Sequence, residues 1–330
     1  MEGSFDQADG WYQFIDAGYR CKSGGISATQ HPKKGVGFPL ARVVGVISLV
    51  SGAVLGMAMA PWSGKGTGEH ALLRQLMHIF QKGDVILGDA YYASFFLIAL
   101  CLAMGVDVVF PAHGSRGKGS ERGKRLGKGD YLVSWKKPQR PTWMDKETYQ
   151  QFPESIEVRE TKVILKRPGF QDETTTLVST FKDSRSVNAE DLKQLYRYRW
   201  FIEVDFRSIK TIMQMDVLRG KTPEMVRKEI WAHLLAYNLV RKEMLQAAIK
   251  YNRNPREMSF KVALQMMGAF LQAGVLSPDN HEVYERFQKA IVSKKIGGQK
   301  RLPEPRVIKR RPKAFPRLQK PRHLYRQRCV

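Results

Sequence analysis

One stretch of sixteen residues, Leu195 to Lys210 (LYRYRWFIEVDFRSIK), restricts what this chain can be more than any other. Tyr196, Arg199, Glu203 and Lys210 stand three, four and seven residues apart. At about 100° per residue those steps return to one side of a helix, with Arg207 beside them. Phe201, Ile202, Ile209 and Ile212 fall on the far side. The spacing predicts a helix that packs on a core and presents one carboxylate framed by cations and a phenol. A carboxylate ligates Mg²⁺, an arginine clamps a phosphate through two bonds and a lysine adds a compact charge, so this face suits phosphate and metal chemistry. A solvated face laced with i,i+4 ion pairs such as Arg199 to Glu203 carries the same pattern.

Charge narrows the partner. The 330 residues carry a net charge of +24 and a pI near 10.0, which points to a polyanion, nucleic acid first and an anionic membrane surface second. Cys21, Cys101 and Cys329 show no CxxC or Cys/His spacing, so a reducing compartment is expected, with neither a disulfide framework nor a zinc site. Met1 to Gly10 is acidic and polar, unlike a signal peptide. Val43 to Trp62 is uncharged and long enough to span a bilayer. Ser48, Ser51, Gly52 and Gly56 interrupt it, however, and its valine-rich halves read as a buried hairpin, Arg42 to Ala60, with no membrane span expected.

Along the chain, residues 1–34 show no clear period. GKGTGEH, Gly64 to His70, reads as a loop before a helix from about Glu69 to Phe80, with Thr67 as its cap. DVILGDA, Asp84 to Ala90, reads as a strand ending in Asp89, which places that carboxylate where open α/β sheets bind ligands. As a plainer role, Asp89 can cap the turn that follows. An apolar helix from Ser94 to Met104 and a strand from Asp107 complete a βαβ crossover, which puts Asp84 and Asp107 at the opposite edge. His113 to about Arg125 is a basic glycine-serine loop. Period-two strands follow from Asp130, Ser155 and Thr174, the last able to rejoin the main sheet. Asn188 and Thr222 read as N-caps, with Pro223 at the first helical position. Trp231, Leu234, Leu235, Tyr237 and Leu239 form a stripe expected under the sheet, with His233 and Asn238 structural, and Met258 to Ala273 is a further apolar helix. Beyond Ser293, proline and positive charge predict an extended basic tail that holds much of the net charge.

The spacing Y-x2-R-x3-E-x6-K resembles in full the signature of the IS-four group of bacterial insertion-sequence transposases, a DDE class in which Asp, Asp and Glu hold two metal ions. The resemblance extends through GVGFPLARVVG at Gly35, GKGTGEH at Gly64 and GDAYYASFF at Gly88. It implies an α/β fold with an RNase H-like core at 35–112 and 174–292. A β-rich insertion at 113–173, an irregular remnant at 1–34 and a disordered tail at 293–330 complete the division. It implies two Mg²⁺ ions on Asp89, Glu203 and a first aspartate, for which Asp9 of Asp9-Gly10 is the candidate and Asp16 the substitute. Trp11 and Tyr12 depart from the small polar residues usual there, and the amino-terminal DNA-binding part and first strand of the group are expected to be missing. The resemblance further implies phosphate contacts from Arg199 and Lys210, with Arg207 beside them, and from Lys65. Tyr196 would touch the same strand, and Trp135 or Trp143 would stack on a flipped base. The implied partners are double-stranded DNA, as element ends and target, and a second copy in a synaptic homodimer in the bacterial cytoplasm, near the nucleoid. A catalytically incomplete DNA-binding remnant and a plain RNase H-like metal-dependent nuclease are the competing readings.

Overall fold

The structure, a computed structural model, describes residues 12–23, 40–61, 64–113, 123–165, 173–276, 281–294 and 296. Asp9, most of the basic loop at 113–125 and the tail from 297 lie outside them. The expected mixed α/β architecture is present, built on one long sheet in the order β3-β2-β1-β4-β5-β9-β8-β7-β6, with β10 pairing β1.

The strand β1, Tyr12–Ser23, corrects the reading of residues 1–34 as an irregular remnant without a first strand. It lies inside the sheet, antiparallel to β2 (Leu40–Ser48) and parallel to β4 (Val85–Leu87). Its register slips between Ala17 and Tyr19, so a bulge reverses the alternation halfway along and erases the period from the text. The predicted hairpin is β2 with β3, Val54–Pro61, turning at Gly52 with φ +74°, a conformation that glycine adopts without a Cβ penalty. No helix among the described residues is long and apolar enough to cross a membrane.

The βαβ crossover is as expected. After β4, α2 (Phe95–Ala103) returns the chain to β5 (Asp107–Pro111), which lies parallel to β4. Asp84 is buried and accepts from the Gln81 amide at 2.8 Å, and Asp107 accepts from the Thr180 hydroxyl at 2.5 Å, so both brace the amino edge. Helix α1, Glu69–Gln75, is shorter than predicted, continues as a 3-10 turn over Met77–Ile79, and is capped by Gly68; Thr67 instead donates to the Gly64 carbonyl.

The β-rich stretch does not leave the sheet. Strands β6 (Lys124–Gly127), β7 (Asp130–Lys136) and β8 (Ser155–Leu165) join β5 through β9, Glu173–Ser179, with the short helix α3, Lys146–Gln151, between β7 and β8. On β8, fully buried Arg159 grips Asp130 through two bonds, at 2.8 and 2.7 Å, and donates to the Val187 carbonyl at 2.5 Å. This ties the added strands to the residue before the helical segment that follows.

That segment comprises α4 (Ala189–Arg197), α5 (Trp200–Arg207), a π-turn (Ser208–Ile212) and β10 (Val217–Leu218). Helices α6 (Pro223–Lys250), α7 (Phe260–Leu276) and α8 (His281–Ser293) follow. Both predicted caps form. Asn188 accepts from the Glu190 and Asp191 amides while Asp191 accepts from the Asn188 amide, and Thr222 accepts from the Met225 amide.

Helices α1 and α2 cover one sheet face, on Val44, Val46, Ile86 and Val108; α4 to α8 cover the other, on Val43, Ile47, Leu87 and Val109. Each such aliphatic side chain contributes about 1.5–3 kcal/mol on burial, so the two layers fix what lies between them. The α6 stripe is corrected in part. Leu234 and Tyr237 are buried, but Trp231, Leu235 and Leu239 are 50, 63 and 49% exposed, because the helix turns only its 230/234/237 side to the core. Asn238 is structural as expected, bonding both the amide and the carbonyl of Val54.

Candidate active site

Glycine and tyrosine fix the place of Asp89. A Cβ on Gly88 would stand 3.0 Å from the Phe110 ring and 3.1 Å from that of Tyr92, so any side chain here would have to push those rings by a few tenths of an ångström. Asp89 then caps the 3-10 turn Ala90–Tyr92, its Oδ1 accepting from the Tyr91 amide at 2.8 Å, which is the plainer role foreseen for it. Tyr92 is buried, anchoring the turn from below. From the other side His70 meets the Tyr91 carbonyl at 3.0 Å through Nε2, with its ring 4.6 Å from that of Tyr91. Burial holds the His70 imidazole below its ordinary value, in its neutral form.

The signature segment is a helix, but not a continuous one. Tyr198, Arg199, Phe201 and Ile202 each bond three residues back, a tightened turn that separates α4 from α5. After α5 the ladder widens into the π-turn, which holds Lys210. Uniform steps of about 100° therefore fail at both ends, and the four signature residues do not form one straight α-helical stripe. Three still meet. Arg199 donates to Glu203 at 2.8 Å, and its guanidinium carbon lies 5.8 Å from the centre of the Tyr196 ring. The Glu203 side chain is 51% exposed. Ile202 and Ile209 are buried and Phe201 and Ile212 pack against the core, as the far side was expected to do.

Register relates these groups across the sheet. β1 and β4 run parallel with Phe14 opposite Leu87, so two residues further on position 16 comes level with Asp89. β4 has ended by then, and β10 joins the same side of β1 only at Lys22, which leaves a notch in the sheet at these positions. Across the other edge of β1, Asp16 is the register partner of Gly45 on β2. Directly opposed positions share a face of the sheet. A Cβ on Gly45 would meet the Phe206 ring at 3.7 Å, so α5 covers that face, and Glu203 stands one turn before Phe206 on the same helix. By register, backbone position 16 and Asp89 border this notch, and α5 covers the sheet face beside it. Among the described residues, whose side chains do not include that of Asp16, no group of three His, Cys, Asp or Glu stands close enough to hold a metal.

The remaining candidates divide. Lys65 is exposed on its loop, and Arg207 is exposed at the end of α5. Trp135 is corrected: it is 8% exposed, belongs to the core under α2 and donates to Glu160 at 2.9 Å, so its ring is closed to a base. Trp143 is half exposed, with the Arg74 guanidinium 3.9 Å above its ring. Sequence reasoning passed over Trp200 and Tyr198, which are 52 and 39% exposed and line a recess of about 260 Å³ with Gln194, Arg197 and Phe201. The available signal was their adjacency to Arg199 on either side.

The chain is similar to known transposases. The family described as "Transposase DDE domain" matches residues 19–239, more than half of the chain. Over 258 residues the chain is 30% identical to the transposase InsG for insertion sequence element IS4 of Escherichia coli K12, covering 75% of this chain and 55% of that protein. A 64-residue stretch is 36% identical to the transposase for insertion sequence element IS421 of Escherichia coli, covering 19% of this chain and 17% of that protein. The chain thus spans about half the length of its IS4 relative. Carrying the domain match and the IS4 similarity together with the signature residues around Glu203, this chain belongs to the DDE transposases of the IS4 family.

Proposed function

We propose that the chain cuts and rejoins DNA at the ends of an insertion sequence, with Asp16, Asp89 and Glu203 as the acidic triad. The parallel register of β1 and β4, which brings position 16 level with Asp89, is the observation that carries this reading. It favours Asp16 over Asp9, which lies upstream of β1 and outside the described residues. It also supports the catalytic reading over that of an incomplete remnant. The strand order β3-β2-β1-β4-β5 agrees with the RNase H-like core that the resemblance implies.

Three carboxylates are hard oxygen donors that suit Mg²⁺, and the side chains in hand fit that group. Asp89 uses Oδ1 for its turn, which leaves a second oxygen outside the cap, and Glu203 is half exposed, paired with Arg199 on the same helix face. Two divalent ions bound there would generate the attacking hydroxyl group and stabilise both oxygens of an in-line displacement. The protein's own groups do the rest. Arg199, paired with Glu203 before DNA arrives, can turn its fork to a phosphate oxygen beside the scissile bond; Lys210 and Arg207 add charge, and Tyr196 lines the same strand. Lys65 supplies a further backbone contact. The Trp200 and Tyr198 rings beside Arg197 offer a stacking surface with a cation next to it, which suits a base and its phosphate better than Trp135 does. Element ends and target DNA are the substrates, and synapsis of two ends calls for a second copy of the chain.

The test is cleavage of duplex DNA that carries the element's own ends, with and without Mg²⁺. Asp16→Asn, Asp89→Asn and Glu203→Gln should each keep DNA binding and lose cleavage, while Asp9→Asn cuts normally. An active Asp16→Asn with an inactive Asp9→Asn would return the first carboxylate to Asp9. Full cleavage by Glu203→Gln would refute the triad.

A further inference from the structure

Two residues beyond Glu203, on the same helix, stands the most deeply buried carboxylate of α5. Asp205 is 1% exposed. Two residues are about 200° around an α-helix, so Asp205 enters the protein as Glu203 leaves it. Arg256, in the 3-10 turn Pro255–Glu257, grips both its oxygens, Nη2 at 2.7 Å from Oδ2 and Nη1 at 3.1 Å from Oδ1. Arg241 of α6 donates to Oδ1 as well, and through Nε to the Tyr237 hydroxyl at 2.9 Å. The Tyr237 hydroxyl in turn donates to the Gly52 carbonyl at 2.8 Å, in the turn between β2 and β3. Both guanidinium groups and the phenol are buried, and burial pushes the Tyr237 hydroxyl up, so it stays protonated as that bond requires. The fit leaves no slack: a Cβ on Gly52 would lie 1.9 Å from Arg256 Nη1.

α5 needs such a fixture. It has eight residues, and neither end continues as α-helix: the tightened turn at 198–199 precedes it and the π-turn at 208–212 follows it. A short helix between two irregular turns can roll about its own axis without breaking its internal ladder. Ile202 and Phe206 hold it to the sheet by apolar contact, which has no direction. Asp205 is directional, because a carboxylate held by a planar fork and a second guanidinium accepts one orientation.

We propose that Asp205, clamped by Arg241 and Arg256, is a positioning residue that sets the roll of α5 and so aims Glu203 at the notch beside Asp89. This rests on reading Glu203 as a metal ligand. The clamp is ionic throughout, and a buried ionic cluster is weak evidence of stability in itself, because apolar residues of similar volume replace such clusters with little loss of fold. Stability and aim can therefore be separated.

The test uses the full chain in three forms: Asp205→Leu with Arg241→Met and Arg256→Met, the single variant Arg256→Lys, and Glu203→Gln. Mn²⁺ affinity is measured by titration calorimetry and amide exchange across residues 200–207 by mass spectrometry, beside thermal unfolding and Mg²⁺-dependent cleavage. The triple variant should fold, bind Mn²⁺ about tenfold more weakly, exchange faster in α5 and need correspondingly more Mg²⁺ to cut. Arg256→Lys keeps the charge and loses the fork, so it should show the same changes to a smaller degree even if the triple variant fails to fold. Wild-type Mn²⁺ affinity and exchange in a folded Arg256→Lys or triple variant would overturn the proposal and leave the triad standing. Normal Mn²⁺ affinity in Glu203→Gln would overturn both.

Discussion

Under the proposed function, Arg199 has two partners to serve at different times. In the protein alone its guanidinium rests on Glu203 at 2.8 Å, and with DNA in place the same fork is the natural grip for a phosphate. Arg199→Lys keeps the charge and loses the second prong, so end cleavage should slow by about tenfold to a hundredfold with DNA affinity little changed, as single-turnover rates and gel shifts would measure. His70 works on the other acid through the Tyr91 carbonyl. Burial lowers its pKa from 6.5, so the folded chain takes up that proton less readily than the unfolded one. The stability that neutral His70 contributes is complete above pH 6.5 and is lost as the pH falls through the lowered folded value. His233 shifts the same way, also through burial, so wild type must be compared with His70→Gln. Urea unfolding of that variant should vary less with pH between about 5 and 7 than that of wild type.

At the scale of elements, the signature region is held at its start, its middle and its far side by different means. Its start is the Asn188–Asp191 capping box, placed by the bond from Arg159 to Val187. Asn188→Ala should cost about 1 kcal/mol in chemical unfolding and fray α4 without touching the acids, so cleavage by the folded fraction should persist. Capping was legible in the text because it depends on residues three apart. The break at 198–199 and the π-turn were not, because nothing in LYRYRWFIEVDFRSIK departs from helical patterning; both lie where Phe201, Phe206 and Ile209 pack against the core. β1 failed for the opposite reason. Its bulge at 17–19 scrambles the alternation, and only pairing with β2 and β4 makes the strand.

For the whole molecule, charge and topology act separately. Under the proposed function, a net charge of +24 should make DNA affinity fall steeply with salt, by about 0.9 in log–log slope for each phosphate neutralised. Deleting the residues after Ser293 should flatten that slope in fluorescence-anisotropy titrations, and an unchanged slope would mean that the tail leaves DNA untouched. The amino-acid sequence alone pointed to a polyanionic partner and carried the signature residues, Asp89 at the end of a strand, the hairpin and both helix caps, because each rests on composition or on neighbours within a few residues. Tertiary structure decided the rest. Asp16 gains its place from a strand more than seventy residues away, Trp135 loses its role to burial, three of the five α6 stripe residues face outward, and Asp205 becomes a clamp only when Arg241 and Arg256 fold onto it. Register and burial are relations between distant segments, and local pattern carries no record of them.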